Sequence, residues 1–247
     1  KLGGNQWQKV RSRVKSKVHD MALDLLRLQS ERESRKGFAF SKDDSMQKEF
    51  EANFAYQPTK DQLLVTSQIK EDMEQPHPMD RLLVGDVGFG KTEVAFRAIF
   101  KAILDQKQVL FLCPTTILSN QHYETAMQRF ESFPIEIGLL NRFTSKKETN
   151  RIIAGLKDGT IDLIIGTHRL LSNDIKPKDL GLLVIDEEQR FGVRQKEKIK
   201  MYKSNIDVLT LTATPIPRTL QMSITGLRSM SLIETPPVNR YPVQTYV

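Results

Sequence analysis

At 247 residues, with 39% hydrophobic and 27% charged side chains, the chain suits one large globular domain or a domain with an appendage. No apolar run approaches the roughly 18 residues of a membrane span, the N-terminus is no signal peptide, and the single Cys113 excludes an intrachain disulfide, so a reducing cytoplasm is the expected location. The net charge of +7 is unevenly placed: residues 1–36 hold ten Lys/Arg against four Asp/Glu, leaving +1 for the rest, so charge alone neither proves nor excludes a nucleic-acid partner.

Residues 1–4, Lys-Leu-Gly-Gly, read as the tail of something upstream. From Asn5 to Lys36 there is neither Pro nor Gly, and Trp7, Val10, Val14, Val18, Met21, Leu25 and Leu28 form one stripe at spacings of three and four. That pattern predicts a long amphipathic helix, basic near its start and ended by Gly37. Either it packs on a neighbour with solvated lysines, or it is a lever or docking element between domains. Residues 37–60 are mixed and polar and read as a connector, followed by a second helix from Asp61 to Met73 and a break at Pro76-His77-Pro78.

Then a regular alternation begins. Apolar runs at Leu82–Val84, Val109–Cys113, Ile135–Leu140, Leu163–Ile165, Leu182–Ile185 and Val208–Leu211 are continuous, as strands covered on both faces should be. Helical patterns lie between them, for example Val94, Ala95, Ala98, Ile99 and Ala102, or Ile152, Ile153 and Leu156. Strand and helix in turn predict an α/β fold, a parallel sheet flanked by helices. Cys113 closes a strand and reads as a buried core thiol. The histidines at 19, 77, 122 and 168 are scattered and form no metal-ligand pattern.

Two constellations carry chemistry. Gly85-Asp86-Val87-Gly88-Phe89-Gly90-Lys91-Thr92 fits G-x-x-x-x-G-K-T between an apolar run and a helical pattern. Such a loop turns its N–H groups toward phosphate oxygens, with the helix N-terminus adding a favourable dipole. Lys91 would reach the β- and γ-phosphates, and the Thr92 hydroxyl would ligate Mg²⁺. The second is Leu182-Leu183-Val184-Ile185 delivering Asp186-Glu187-Glu188-Gln189 at a strand end, where ligand sites of open α/β sheets lie. Asp186 would hold the Mg²⁺ through water, and Glu187 would orient and deprotonate an attacking water. Together they predict a nucleoside triphosphatase that works by positioning and charge stabilisation.

Asp186-Glu187-Glu188-Gln189 resembles the acidic box of superfamily-two helicases and translocases, with Gln189 in its catalytic set. Thr212-Ala213-Thr214 resembles their motif III, which couples nucleotide to nucleic acid; Pro114-Thr115-Thr116-Ile117-Leu118 with Gln121 resembles motif Ia; and Gly166-Thr167-His168 resembles motif Ib. Tyr56-Gln57-Pro58-Thr59-Lys60-Asp61-Gln62 resembles the segment whose glutamine reads adenine, which would make the nucleotide ATP. The resemblance implies a RecA-like lobe over residues 37–247, with Thr116, Arg142, Thr167, His168 and Arg169 along the DNA and Thr212 and Thr214 coupling the two sites. Superfamily-two motors track the phosphate backbone. Thr167 and His168 could instead simply cap the next helix.

The run Met79–Ala95, with Gly166-Thr167-His168-Arg169-Leu170-Leu171, Phe191-Gly192-Val193 and Thr214-Pro215-Ile216-Pro217-Arg218-Thr219, is similar to bacterial transcription-repair coupling factors and to the RecG-type helicases. Glu188-Gln189-Arg190 favours the former. That resemblance implies an ATP-driven translocase on double-stranded DNA, with RNA polymerase and excision-repair proteins as partners through other parts of the motor. It also implies a second lobe whose arginines complete the ATP site. Since Glu234–Arg240 resembles the stretch leading there, the chain reads as a fragment whose ATPase is nearly silent. A RecG-type remodeller of branched DNA and a non-hydrolysing docking fragment are the alternatives; a GTPase or kinase would lack the ordered helicase motifs.

Overall fold

The computed structural model describes residue 30, residues 35–213 and residues 229–237. The amphipathic helix expected before Gly37 lies almost wholly outside the described residues, as do Thr214 and the Thr-Pro-Ile-Pro-Arg-Thr run that begins with it.

Seven parallel strands form one sheet in the order β3-β4-β2-β5-β6-β1-β7. They are β1 (Asp80–Gly85), β2 (Gln108–Leu112), β3 (Ile137–Leu140), β4 (Leu163–Gly166), β5 (Leu180–Asp186), β6 (Asp207–Thr212) and β7 (Ser229–Ile233). The six predicted apolar runs all become strands, although Ile135 and Glu136 fall short of β3. β2 is buried at every position, which explains its continuous apolar run, and β6 is buried throughout as well, its Thr210 and Thr212 included.

The helices are α1 (Ser45–Ala52), α2 (Lys60–Met73), α3 (Lys91–Leu104), α4 (Thr116–Arg129), α5 (Lys146–Asp158) and α6 (Val193–Lys203). Their starts follow local chemistry. Asp44 accepts from the Gln47 amide at 2.9 Å, Thr115 from Leu118 at 3.2 Å and Ser145 from Glu148 at 3.2 Å. Thr59 and Gln62 form a reciprocal capping box at the start of α2. Helices α3 and α6 differ: their N-caps, Gly90 and Gly192, offer no side-chain cap.

Alternate strand residues build two cores. Phe111 and Cys113 of one strand and its continuation join a cluster with Phe40, Phe50, Phe96, Phe100 and Phe130, under α1 to α4. Leu110 and Leu112 face the other way, onto Ile152, Leu156, Leu170 and Ile199. On the first side Phe50 stacks on Phe100 at 4.2 Å and on Phe130 at 5.1 Å. Each such pair contributes roughly 0.5–1.5 kcal/mol beyond its buried area.

Two expectations need correction. The polar stretch 37–60 is not merely a connector, because it contains α1, held by the fully buried Phe50. And β7, which the strand reading omitted, pairs with β1 at the edge of the sheet, Leu83 opposite Ser231.

Candidate active site

Because β6 lies between β1 and β5, three strands deliver their C-terminal ends side by side. Val84 is level with Thr212, and Leu211 is level with Asp186. Gly85, Asp186 and Thr212 therefore meet at one rim, where a crevice outside the strand ends is the usual ligand site of such sheets.

The loop 85–92 joins β1 to α3. Gly88 and Gly90 have φ of 81° and 78°, the left-handed region that side chains resist. At Gly90 a Cβ would also collide with the Gln62 carboxamide. Lys91 Nζ donates to the carbonyls of Gly85 at 2.7 Å and Asp86 at 3.0 Å, folding back over the loop's start. Gly90 gives the first turn of α3 no side-chain cap, and Gly90, Lys91 and Thr92 line the crevice, a helix terminus of the kind that suits an anion. Gln62 Nε2 donates to Phe89 O at 2.9 Å while Oε1 accepts from the Thr59 amide at 3.0 Å. The structure thus brings the Gln62 amide nitrogen to the loop's backbone, while its carboxamide oxygen caps the start of α2.

Across the crevice, Glu187 sits at φ 53°, a strained position for a non-glycine residue. Its amide donates to Leu211 O at 2.9 Å, and its Oε1 accepts from the Ala213 amide at 2.9 Å. The acid is thereby hydrogen-bonded to the segment after β6. Gln189 donates a short hydrogen bond to Glu187 Oε2. Glu188 turns away and pairs with Lys203 at 2.9 Å. Lys91, Thr92, Asp186, Glu187 and Gln189 all line one cleft of ≈ 840 Å³. Thr92 and Asp186 offer the hard oxygen donors that suit Mg²⁺ alongside phosphate oxygens. Among the described residues no three His, Cys, Asp or Glu side chains gather into a metal cage.

The candidate DNA residues are brought together only in part. β3, β4 and β2 are neighbours, so the segments after them share one rim. Thr116 opens α4 and is half-buried; Arg142 and His168 are exposed. Arg142 lies 4.7 Å from the ring of the exposed Phe143. The loop carrying this pair is fixed from below by buried Asn141, which donates to Ser119 Oγ at 3.1 Å and accepts from the Phe143 amide at 2.9 Å. Arg169 is engaged at 2.7 and 2.5 Å with Asp174, whose carboxyl the hydrogen-bonded guanidinium holds below its ordinary value. Thr167 is only 4% exposed, and its side chain makes no cap bond, so it neither reaches the surface nor caps the turn after it.

The described part of this architecture meets a family pattern. The DEAD/DEAH box helicase family matches residues 59–223. The chain belongs to that family. It is 64% identical to the transcription-repair-coupling factor of Bacillus subtilis (strain 168) and 57% identical to that of Staphylococcus aureus (strain USA300), in both cases over all 247 residues of this chain and 21% of the relative. It thus spans about a fifth of the length of the curated relatives it matches. Among solved structures, RecG bound to a three-way DNA junction superposes with a TM-score of 0.81 at 35% identity, over 96% of this chain and 32% of that one. The Hef helicase domain of Pyrococcus furiosus gives 0.53 at 25% identity, over 72% of this chain and 38% of that one. The RecA-like fold follows from these.

Within this helicase lobe, two groups near the site carried no motif signal. Glu93, directly after Thr92, is buried and accepts from Arg97 Nε at 2.9 Å and Arg129 Nε at 2.9 Å, fixing the first turn of α3 against α4. His122 reaches Asp186 at 3.1 Å. Glu93 does sit in a helix's first turn, where an acid is favoured, and Arg97 is one turn on, but its second partner, Arg129, is remote in sequence.

Proposed function

We propose that this chain is the ATP-binding lobe of a motor that translocates on double-stranded DNA, displaces stalled RNA polymerase and couples transcription to nucleotide excision repair, in the cytoplasm. The single observation that carries the reading is the convergence of Lys91, Thr92, Asp186 and Glu187 on one cleft at the ends of β1 and β5. The identity to transcription-repair-coupling factors supports the cellular role and exceeds that to RecG, whose branched-DNA substrate is the second reading.

Mg²⁺ and ATP would supply a polarised γ-phosphoryl group. The amides of residues 86–92 would hold the phosphates, and Lys91 would exchange the carbonyls of Gly85 and Asp86 for phosphate oxygens. Thr92 and Asp186 would hold the metal. Glu187 would orient a water and take its proton as the water oxygen bonds to phosphorus and the bond to the β-phosphate oxygen breaks. Gln189 and the Ala213 amide keep that carboxylate in place. Gln62 would read adenine, as the resemblance implies, from its seat against Phe89 O. Thr116, Arg142, His168 and Arg169 would meet the DNA backbone, while Thr212 and Thr214 would couple the two rims. Residues 1–36 would form a basic helix leading into the lobe at 37–247.

A second lobe would contribute the arginines that complete the site, worth about 10³–10⁵ in rate where such a residue has been removed. This chain should therefore bind Mg²⁺–ATP weakly and hydrolyse it barely. Calorimetric titration with ATP and Mg²⁺ checks the first point, with Lys91→Ala abolishing the signal. Turnover at intact-motor rates by this chain alone would overturn the second. With the second lobe present, Arg142→Ala and Arg169→Ala should weaken DNA binding and lower the slope of its salt dependence by about one for each phosphate no longer neutralised. Unchanged affinity would remove them from the interface.

A further inference from the structure

His122 lies in the second turn of α4 and points into the nucleotide cleft, which it helps to line. Its ring packs on Phe111 of β2, centroids 4.7 Å apart and planes 32° apart. Its Nε2 is 3.1 Å from Asp186 Oδ2, and the two side chains are 13% and 12% exposed. A carboxylate at this position can only accept, so the ring presents its Nε2–H to it. The imidazole thus arrives in a fixed orientation from a rigid helix, backed by an aromatic ring.

A carboxylate ending a strand is free to turn about its last torsion, whose profile is broad and two-fold. A donor that holds one oxygen sets the plane of the group and leaves the other for a further ligand. Partners outside the ligand set commonly orient metal ligands in this way. A histidine serving only to fill space would need the Phe111 contact and not a hydrogen bond to the one acid in the cleft assigned to metal.

We propose that His122 is a positioning residue for the Asp186 carboxylate, committing Oδ2 to the imidazole and leaving Oδ1 for the divalent cation that accompanies the nucleotide. The proposal rests on the reading of Asp186 as the metal carboxylate. His122 is then a determinant of metal affinity supplied by α4, the helix whose first residue is Thr116.

The experiment measures binding of a fluorescent ATP analogue to the 247-residue chain, once in EDTA and once in saturating Mn²⁺. The quantity read is the ratio of the two dissociation constants, the enhancement due to metal. His122→Phe keeps a ring against Phe111 but removes the donor; His122→Gln removes the ring but keeps a donor. For His122→Phe the ratio should fall about tenfold, within the range usual for removing such a partner, with the constant in EDTA unchanged. His122→Gln should recover most of the wild-type ratio. The proposal is overturned if His122→Phe keeps the wild-type ratio, if the EDTA constant moves as much as the Mn²⁺ constant, or if His122→Gln is as impaired as His122→Phe. A wild-type ratio of one, or one unaffected by Asp186→Asn, would instead sink the assignment of Asp186 to metal, and the role of His122 with it.

Discussion

The two faces of the sheet are built from different materials. Under α1 to α4 the core is aromatic and threaded with buried charge: Arg97 and Lys101 are 2% and 3% exposed, and Glu93 is buried between two guanidinium groups. Arg129 also lies 3.8 Å over the Phe50 ring and donates to Phe50 O at 2.7 Å. Under α5 and α6 the core is almost wholly aliphatic, with Phe191 as its single phenylalanine among the described residues. Aliphatic packing is non-directional and holds a helix against a sheet without fixing its rotation tightly. Ion pairs and rings hold angle and register. The directional face is the one that carries the phosphate-loop helix, and its ties begin one residue after Thr92. The difference means that α3 is held in angle and register as well as in position.

Glu93 is where this contrast between the faces is most exposed to failure. Glu93→Ala removes the carboxylate shared by Arg97 and Arg129, leaving them the more distant Glu51 and the Phe50 carbonyl, and should cost about 3 kcal/mol, read by chemical denaturation. A loss below about 1 kcal/mol, the scale of a surface pair, would mean that the charges are solvated and that the face is not held by them. Next come the two cores themselves. Phe100→Ala should cost about 3–5 kcal/mol, whereas Ile164→Val on the aliphatic side should cost about 0.5–1.5 kcal/mol. The nucleotide affinity of the folded fraction should fall for the first and stay level for the second; equal losses of affinity would erase the distinction between faces.

Acid offers a gentler probe. Burial alone would raise the Asp43 carboxyl, but hydrogen bonds from Lys70 and Lys101 outweigh it and leave the group below its ordinary 3.8. Its folded value being depressed, its contribution is complete above pH 3.8 and is lost as pH falls through that lower value. Asp43→Asn should flatten this part of the stability–pH curve, while Asp158→Asn on the other face, where the lowering comes from local bonds to Thr160, should leave the α3 ties untouched. The smallest effect concerns Cys113. Burial, helped by the charge of Asp186, pushes its thiol well above the ordinary 9.0. The folded chain should resist alkylation at mildly alkaline pH and label only on unfolding. A raised folded value also means that its stabilising contribution is present below pH 9.0 and fades as pH rises beyond it. Rapid labelling of folded protein would show that this face is open.

Much of this molecule was legible because its signals are local. A strand covered on both faces is largely apolar, so the six runs that became β1 to β6 announced themselves, and so did the glycines at 88 and 90, whose backbone angles few other residues tolerate. Helix α1 escaped because, of its eight residues, only Gln47 and Phe50 are buried. Its one clear mark was Asp44, a cap without a stripe behind it. Strand β7 escaped because Ser229-Met230-Ser231-Leu232-Ile233 reads as a mixed edge segment, with Ser231 bonded to Arg81 and Gln68 rather than to anything nearby in sequence.

The order of amino acids was enough to specify the glycine-bearing loop 85–92, the acids at the end of β5, the parallel α/β alternation and the family, since each depends on sterics or polarity within a few neighbouring residues. It took the folded chain to establish that Thr167 is buried, that Arg169 is already paired, that Gln62 grips the loop backbone, and that His122 and Glu93 stand beside the chemistry. Apart from the Arg169–Asp174 pair, which is five residues apart, those outcomes depend on partners tens of residues away, chosen by how strands order themselves in the sheet, and a linear pattern of side chains does not encode that order one residue at a time.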